Sequence, residues 1–222
     1  MNFFGHAALA ANHFAQQLST RDPQKLALPC NGAMLPDFVG MLRLSRPVVL
    51  DASLARGVSF HHLTDHAFHE LTSFHQLSRH AFAWLSASGV ARGPARAIAH
   101  IGVEILLDEV LVSDAFAREC YLAALATPLD SALEFPVSED GMRLAALRGA
   151  LLERTSSETP PPELVAQRIR RTLAGRPRLA VDAGAEARLS AWVVLTRPLI
   201  AHAAPALLTA LWAELANSAR PE

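Results

Sequence analysis

Apolar residues recur every three to four positions along most of the chain, and period-two alternation of β-branched residues is scarce, so the pattern predicts an all-α protein. A first helix is expected over Asn2 to Leu18, ended by "STRDP" because Pro23 and the residue before it resist helical geometry. "LPCNGAMLPDFVG", rich in proline and glycine, reads as a loop that delivers Asp37 beside Phe38 and Val39. "RPVVLDASLARG" reads as a short helix stopped at Gly57.

One long helix is expected from Val58 to Leu85, with Phe60, Leu63, Ala67, Leu71, Phe74, Ala81 and Leu85 along one side, closed by "SASGVARGP". A second long helix begins near Pro94 and runs towards Ala126. Another covers about Glu139 to Leu152, and "RTSSETPPPE" reads as a stiff surface linker. Helices near Glu163 to Ala174 and Ala183 to Asn217 complete the pattern, and Pro198 and Pro205 are expected to kink or split the last one.

Composition narrows the class. The 222 residues, 51% hydrophobic and 18% charged with mean hydropathy +0.20, suffice for one sizeable core, so a single domain over residues 1–222 is expected. No uncharged run approaches the ~20 apolar residues of a membrane span. The start, "MNFFGHAALAANHFAQQ", lacks a basic n-region and carries His6 and His13, so it does not read as a signal peptide. Cys30 and Cys120 cannot build a disulfide framework, and a reducing cytoplasm is the expected location. The net charge of -1 offers no global field for nucleic acid. The basic stretch Arg168 to Arg178, "RIRRTLAGRPR", reads as a solvated helix face.

Histidine is the unusual residue: ten, against one tyrosine. "FHHLTDHAFHELTSFH" places His61, Asp65 and His69 at four-residue steps, on one face that should point away from the apolar stripe. His62, His66 and His80 fit a solvated face. "RAIAHIGVEILLDEVL" is apolar nearly all round, so His100 and Glu104 should be enclosed, with Asp108 one turn on at the end of a cavity or at the surface. A buried carboxylate needs a hydrogen-bond network or a metal to offset its desolvation. If the two helices face each other, His61, Asp65, His100 and Glu104 converge on one cavity, and imidazole with carboxylate suits Zn, Fe or Mn. His6 and Asp37 are candidates to add to it, though each alone reads as a core histidine and a capping aspartate. No G-x-S-x-G, P-loop, G-x-G-x-x-G or paired C-x-x-C occurs, and nothing marks a nucleophile.

Five short segments in register resemble the acyl-carrier-protein phosphodiesterase family, which is helical and related to HD-domain phosphohydrolases: "MNFFGH" with His6, "LPDFVG" with Asp37, "GVSFHHLTD" with His61 and Asp65, "AHIGVE" with His100, and "GRPRL" at Gly175 to Leu179. Four positions depart from the family pattern. Phe68-His69 stands where Thr-Asp is usual, Ala99 stands where Asp precedes the later His, and His62 stands where Arg is usual. The departures suggest that His69 and Glu104 take over from missing carboxylates. The His-x-x-x-Asp and His-x-x-x-Glu pairs also resemble the helical zinc-dependent phospholipase C group. Both resemblances imply a metal-dependent phosphodiesterase using a divalent ion (Mn, Fe or Zn). The implied ligands are His6, Asp37, His61, Asp65, His69, His100 and Glu104, with Asp65 and Glu104 the groups nearest the chemistry and Glu104 a candidate general base. The first resemblance implies acyl carrier protein as substrate and release of phosphopantetheine. Such an acidic partner would meet a local basic patch, for which Arg43, Arg46, Arg92 and Arg96 are the candidates. The rival expectation is a non-catalytic metal- or ligand-binding protein on the same scaffold.

Overall fold

Four of the helix starts are set by short polar side chains. Asn2 accepts the amide hydrogen of Phe3 and opens α1 (Phe3–Gln17). Asp22 accepts from Gln24 and, with Pro23 in the first turn, opens α2 (Pro23–Leu42). Asp51 accepts from the amides of Ser53 and Leu54 at the head of α3 (Ala52–Glu70). Asp114 accepts from Ala117 and opens α6 (Ala115–Ala126). In the computed structural model residues 1–154, 159–181 and 184–218 are described. The remaining elements are α4 (Thr72–Ala87), α5 (Arg92–Leu111), α7 (Ser138–Arg154), α8 (Pro162–Ala174), a 3-10 turn (Pro177–Leu179) and α9 (Ala185–Ser218). Two short strands, β1 (Val48–Val49) and β2 (Leu133–Glu134), pair antiparallel with Val48 opposite Glu134. Among the described residues the fold is all-α apart from this pair.

Two compact units interleave along the sequence. One holds Met1, Ala67–Val110 and Glu158–Glu222; the other holds Asn2–His66 and Leu111–Ser157. In the unit built on α1, α2, α6 and α7, Leu26, Cys30, Met34 and Phe38 are buried along α2. Asn31 donates to the carbonyls of Ala27 and Ala124. The buried Arg148 guanidinium donates to the carbonyls of Ala124, Leu125 and Thr127, satisfying the end of α6. In the other unit, α9 packs on α4 and α8. A Cβ on Gly102 would stand 2.4 Å from the ring of the fully buried Trp192, so only glycine lets α5 receive that indole. Arg197 of α9 holds Glu109 at 2.8 Å and donates to the Pro160 carbonyl.

Several expected boundaries move. Residues 28–40 are not a loop: α2 runs through Pro29 and Pro36, and Asp37 therefore sits on a helix. Each internal proline forgoes one hydrogen bond, and the buried face of α2 offsets the loss. Gly57 does not stop a helix. It lies inside α3, where a Cβ would meet the Pro29 carbonyl oxygen at 2.1 Å and the Gly32 Cα at 2.8 Å. The glycine is there for close approach of α2 and α3. The expected helix from Val58 to Leu85 is broken at Leu71, which is extended (φ -63, ψ 126), and the bend brings the Phe68 and Phe74 rings to 4.5 Å. Leu63, assigned to the apolar side, is exposed. The helix expected from Pro94 to Ala126 is divided between Leu111 and Ala115 by the Asp114 cap. Pro198 and Pro205 do not split α9.

Residues 155–158 of the expected linker, and Ala183 at the expected start of the last helix, lie outside the described residues. Among the described helices α9 alone is long and apolar enough, by length and composition, to cross a membrane. Arg197 interrupts its apolar run, and Trp192, Val193, Ile200, Leu207 and Leu211 are buried.

Candidate metal centre

The structure gathers the candidate ligands into two triads, each inside one unit: His6, His61 and Asp65, and separately His69, His100 and Glu104. In each, one ligand atom per residue lies within 4.8 Å of the others, so each group can hold a metal ion. Asp37, half-buried on α2, belongs to neither triad, and the buried Asp108 does not either.

The first triad is built by α1 and α3. His6 is fully buried and His61 is 5% exposed, while the Asp65 side chain is 37% exposed. His61 thus faces the interior, not away from it as its helical spacing suggested. The Gly32–Gly57 contact draws α2 onto α3 and brings the Ala33 carbonyl oxygen 2.8 Å from His61 Nδ1. A carbonyl oxygen only accepts, so Nδ1 carries the hydrogen and Nε2 of the neutral ring carries the lone pair. Thr64 holds the matching place beside His6. Its hydroxyl lies 2.9 and 3.0 Å from the Phe60 and His61 carbonyls and 3.1 Å from His6 Nδ1; in the tautomer with the hydrogen on Nδ1, Thr64 accepts it and Nε2 keeps the lone pair. His6 Nε2 then faces Asp65 Oδ1 at 3.5 Å, and the two imidazole centroids are 4.0 Å apart. Burial, seconded by the neighbouring His6, pushes His61 down to about 3 against the opposing pull of the Ala33 carbonyl and Asp65. It is neutral and ligand-ready at physiological pH.

The second triad is organised differently. His69 Nε2, His100 Nε2 and the α-amino group of Met1 all point at one oxygen, Glu104 Oε1, at 3.0, 3.2 and 3.1 Å. The two imidazoles stack at 4.9 Å between centroids, with Phe74 edge-on to both. Burial pushes the Glu104 carboxyl up, but the Met1 ammonium and the two histidines outweigh it and hold the group well below the usual carboxylate range. Here the ε-nitrogens donate to the carboxylate, so this triad is satisfied by its own hydrogen bonds. A carboxylate held this way is a weak base. His100 is half-exposed, with its side chain 47% accessible, so the expectation that it is enclosed with Glu104 does not hold for the imidazole.

No family model, curated protein or solved structure matches the chain. Sequence reasoning missed the groups that fix the rings. Thr64 left a trace, a hydroxyl on the buried side of α3 between two candidate ligands. The Ala33 carbonyl left none, since a backbone acceptor has no residue signature.

Proposed function

We propose that the chain is a metal-dependent phosphodiesterase whose divalent ion is held by His6, His61 and Asp65. One observation carries this reading: two buried imidazoles, His61 with its Nδ1 hydrogen committed to the Ala33 carbonyl, stand with the Asp65 carboxylate so that one ligand atom of each lies within 4.8 Å of the others. A neutral imidazole lone pair gathered with a second imidazole and a carboxylate is a donor set that suits a divalent cation. Two nitrogens and one oxygen suit Zn, Fe or Mn, and three protein ligands leave coordination positions open, as in catalytic sites. A bound ion supplies Lewis acidity, lowering the pKa of a water towards neutrality and offsetting charge on phosphoryl oxygens.

The chain's own residues do the rest. Thr64 and Ala33 orient the rings. Asp65, the ligand reachable from solvent, is the carboxylate placed to take a proton from an incoming water. Glu104 is assigned a positioning role, holding His69 and His100. The phosphodiester substrate, and acyl carrier protein as its bearer, come from the sequence resemblance. Arg43 and Arg46, exposed where α2 ends, and Arg92 and Arg96, exposed where α5 begins, are the proposed contacts for an acidic partner.

Metal analysis of tag-free protein after reconstitution with Mn, Fe and Zn should give one tightly held equivalent, lost in Asp65→Ala. Turnover of bis(p-nitrophenyl) phosphate and of holo-acyl carrier protein should follow metal content. Metal without turnover of either ester identifies the binding protein instead. Absence of tight metal from the wild type ends the proposal.

A further inference from the structure

We propose that His62 and His66 form a second, solvent-facing site for a divalent transition metal, and that this site loads the buried triad. The loading role rests on the reading of His6, His61 and Asp65 as a metal centre; the existence of the site does not.

His62 and His66 are one turn apart on α3 and both are exposed. Helical spacing of four holds their Cβ atoms about 5–6 Å apart on one face, the arrangement by which paired helical histidines chelate zinc. The helix has already fixed the backbone, so closing the chelate orders only two side chains. No hydrogen bond or ion pair engages either imidazole among the described residues; His62 approaches His61 edge-on, 5.3 Å between centroids. Nothing has to be broken for these nitrogens to bind an ion.

Their place on the helix supplies the function. Around α3 the ligand-type side chains run in order of exposure: buried His61, partly exposed Asp65, then exposed His62 and His66. An ion reaching His6 and His61 must shed water, since both rings are buried, and Asp65 is the member of the triad that solvent reaches. An imidazole pair beside Asp65 replaces part of the hydration shell at the mouth of the site and raises the local ion concentration there. Zn, Ni and Cu, which imidazole prefers, are the ions such a pair takes; Mg and Ca, which prefer oxygen, are not.

The test is zinc titration and stopped-flow uptake by chelator-treated, tag-free full-length protein against a chromophoric chelator. Wild type should show one tight and one weaker equivalent. His62→Gln with His66→Gln should abolish the weaker one, leave the tight affinity unchanged, and slow loading by about tenfold. His61→Ala should abolish the tight equivalent and keep the weaker. A double variant that binds as many weaker equivalents as wild type overturns the site, whatever the His69, His100 and Glu104 group itself takes up. Loading at the wild-type rate in the double variant overturns the loading role. A wild type that binds the weaker equivalent and no tight one overturns the functional reading and the loading role together, and leaves the exposed site standing.

Discussion

His61 donates its Nδ1 hydrogen to the Ala33 carbonyl oxygen at 2.8 Å, and this bond decides which nitrogen of the ring faces His6 and Asp65. Thr64 plays the matching part for His6 at 3.1 Å. The backbone acceptor cannot be mutated away, but the hydroxyl can. Thr64→Val keeps the shape of the side chain and frees the His6 ring to take the other tautomer. Loss of such an orienting partner lowers metal affinity by about 10–100-fold. Zinc competition titrations should show that loss with helical content preserved. Wild-type affinity in Thr64→Val would mean the hydroxyl does not set the ring.

The Gly32–Gly57 contact is what lets the Ala33 carbonyl reach His61. A Cβ at Gly32 would sit 2.1 Å from the Leu54 carbonyl oxygen, and one at Gly57 would sit 2.1 Å from that of Pro29. Both clashes are with backbone, so the helices themselves must separate. Gly57→Ala should lower stability by about 1–3 kcal/mol or more in urea melts. It should also weaken metal binding beyond what the stability loss explains, because α2 carries the Ala33 acceptor. A Gly57→Ala protein as stable as wild type would contradict the close approach.

Type of element was legible here where period was strong. The helical character of the chain and the four-residue steps of His61, Asp65 and His69 follow from spacing alone. Residues 28–40 read as a loop because proline and glycine are punctuation in exposed chain, whereas in α2 the prolines are carried by a buried face and Gly32 is a contact surface. The break at Leu71 was invisible because the apolar stripe continues across it into α4. Ligand-type residues were recognisable one by one, but their grouping was not. Pairing of His6 with His61, and of His69 with His100, depends on tertiary packing that no local pattern encodes.

Acid should destabilise the metal-free protein. His61 is pushed down to about 3 in the fold, against 6.5 in the unfolded chain. Between those values the unfolded state binds more protons, so stability falls as pH drops through that window. Glu104, held below its ordinary 4.5, adds a loss of the same sign below that pH. Urea midpoints of chelator-treated protein should therefore decrease from pH 7 to pH 5, and His61→Gln should flatten that slope. A wild-type midpoint that is constant or rises over this range would show that His61 is not held neutral by its surroundings.

The stacked pair His69 and His100 leans on one carboxylate oxygen, and the two ends of that arrangement differ in burial. Glu104 is 12% exposed at its side chain, and it accepts from the fully buried Met1 amino group and from His69. His100 contributes a third contact from a ring 47% exposed. Replacing the carboxylate strands donors that have little water to turn to, whereas replacing His100 leaves an acceptor still served by two donors. Removing one partner of a buried charged pair costs several kcal/mol, and loosening a half-exposed one costs little. Glu104→Leu should thus lose about 2–5 kcal/mol and His100→Leu less than about 1 kcal/mol, in chelator-treated protein. Equal losses in the two variants would mean that the exposed imidazole, not the carboxylate, anchors this triad. If adding zinc restores His100→Leu toward wild-type metal content but never Glu104→Leu, the second triad also binds the ion; if neither variant changes the stoichiometry, its three side chains serve structure alone.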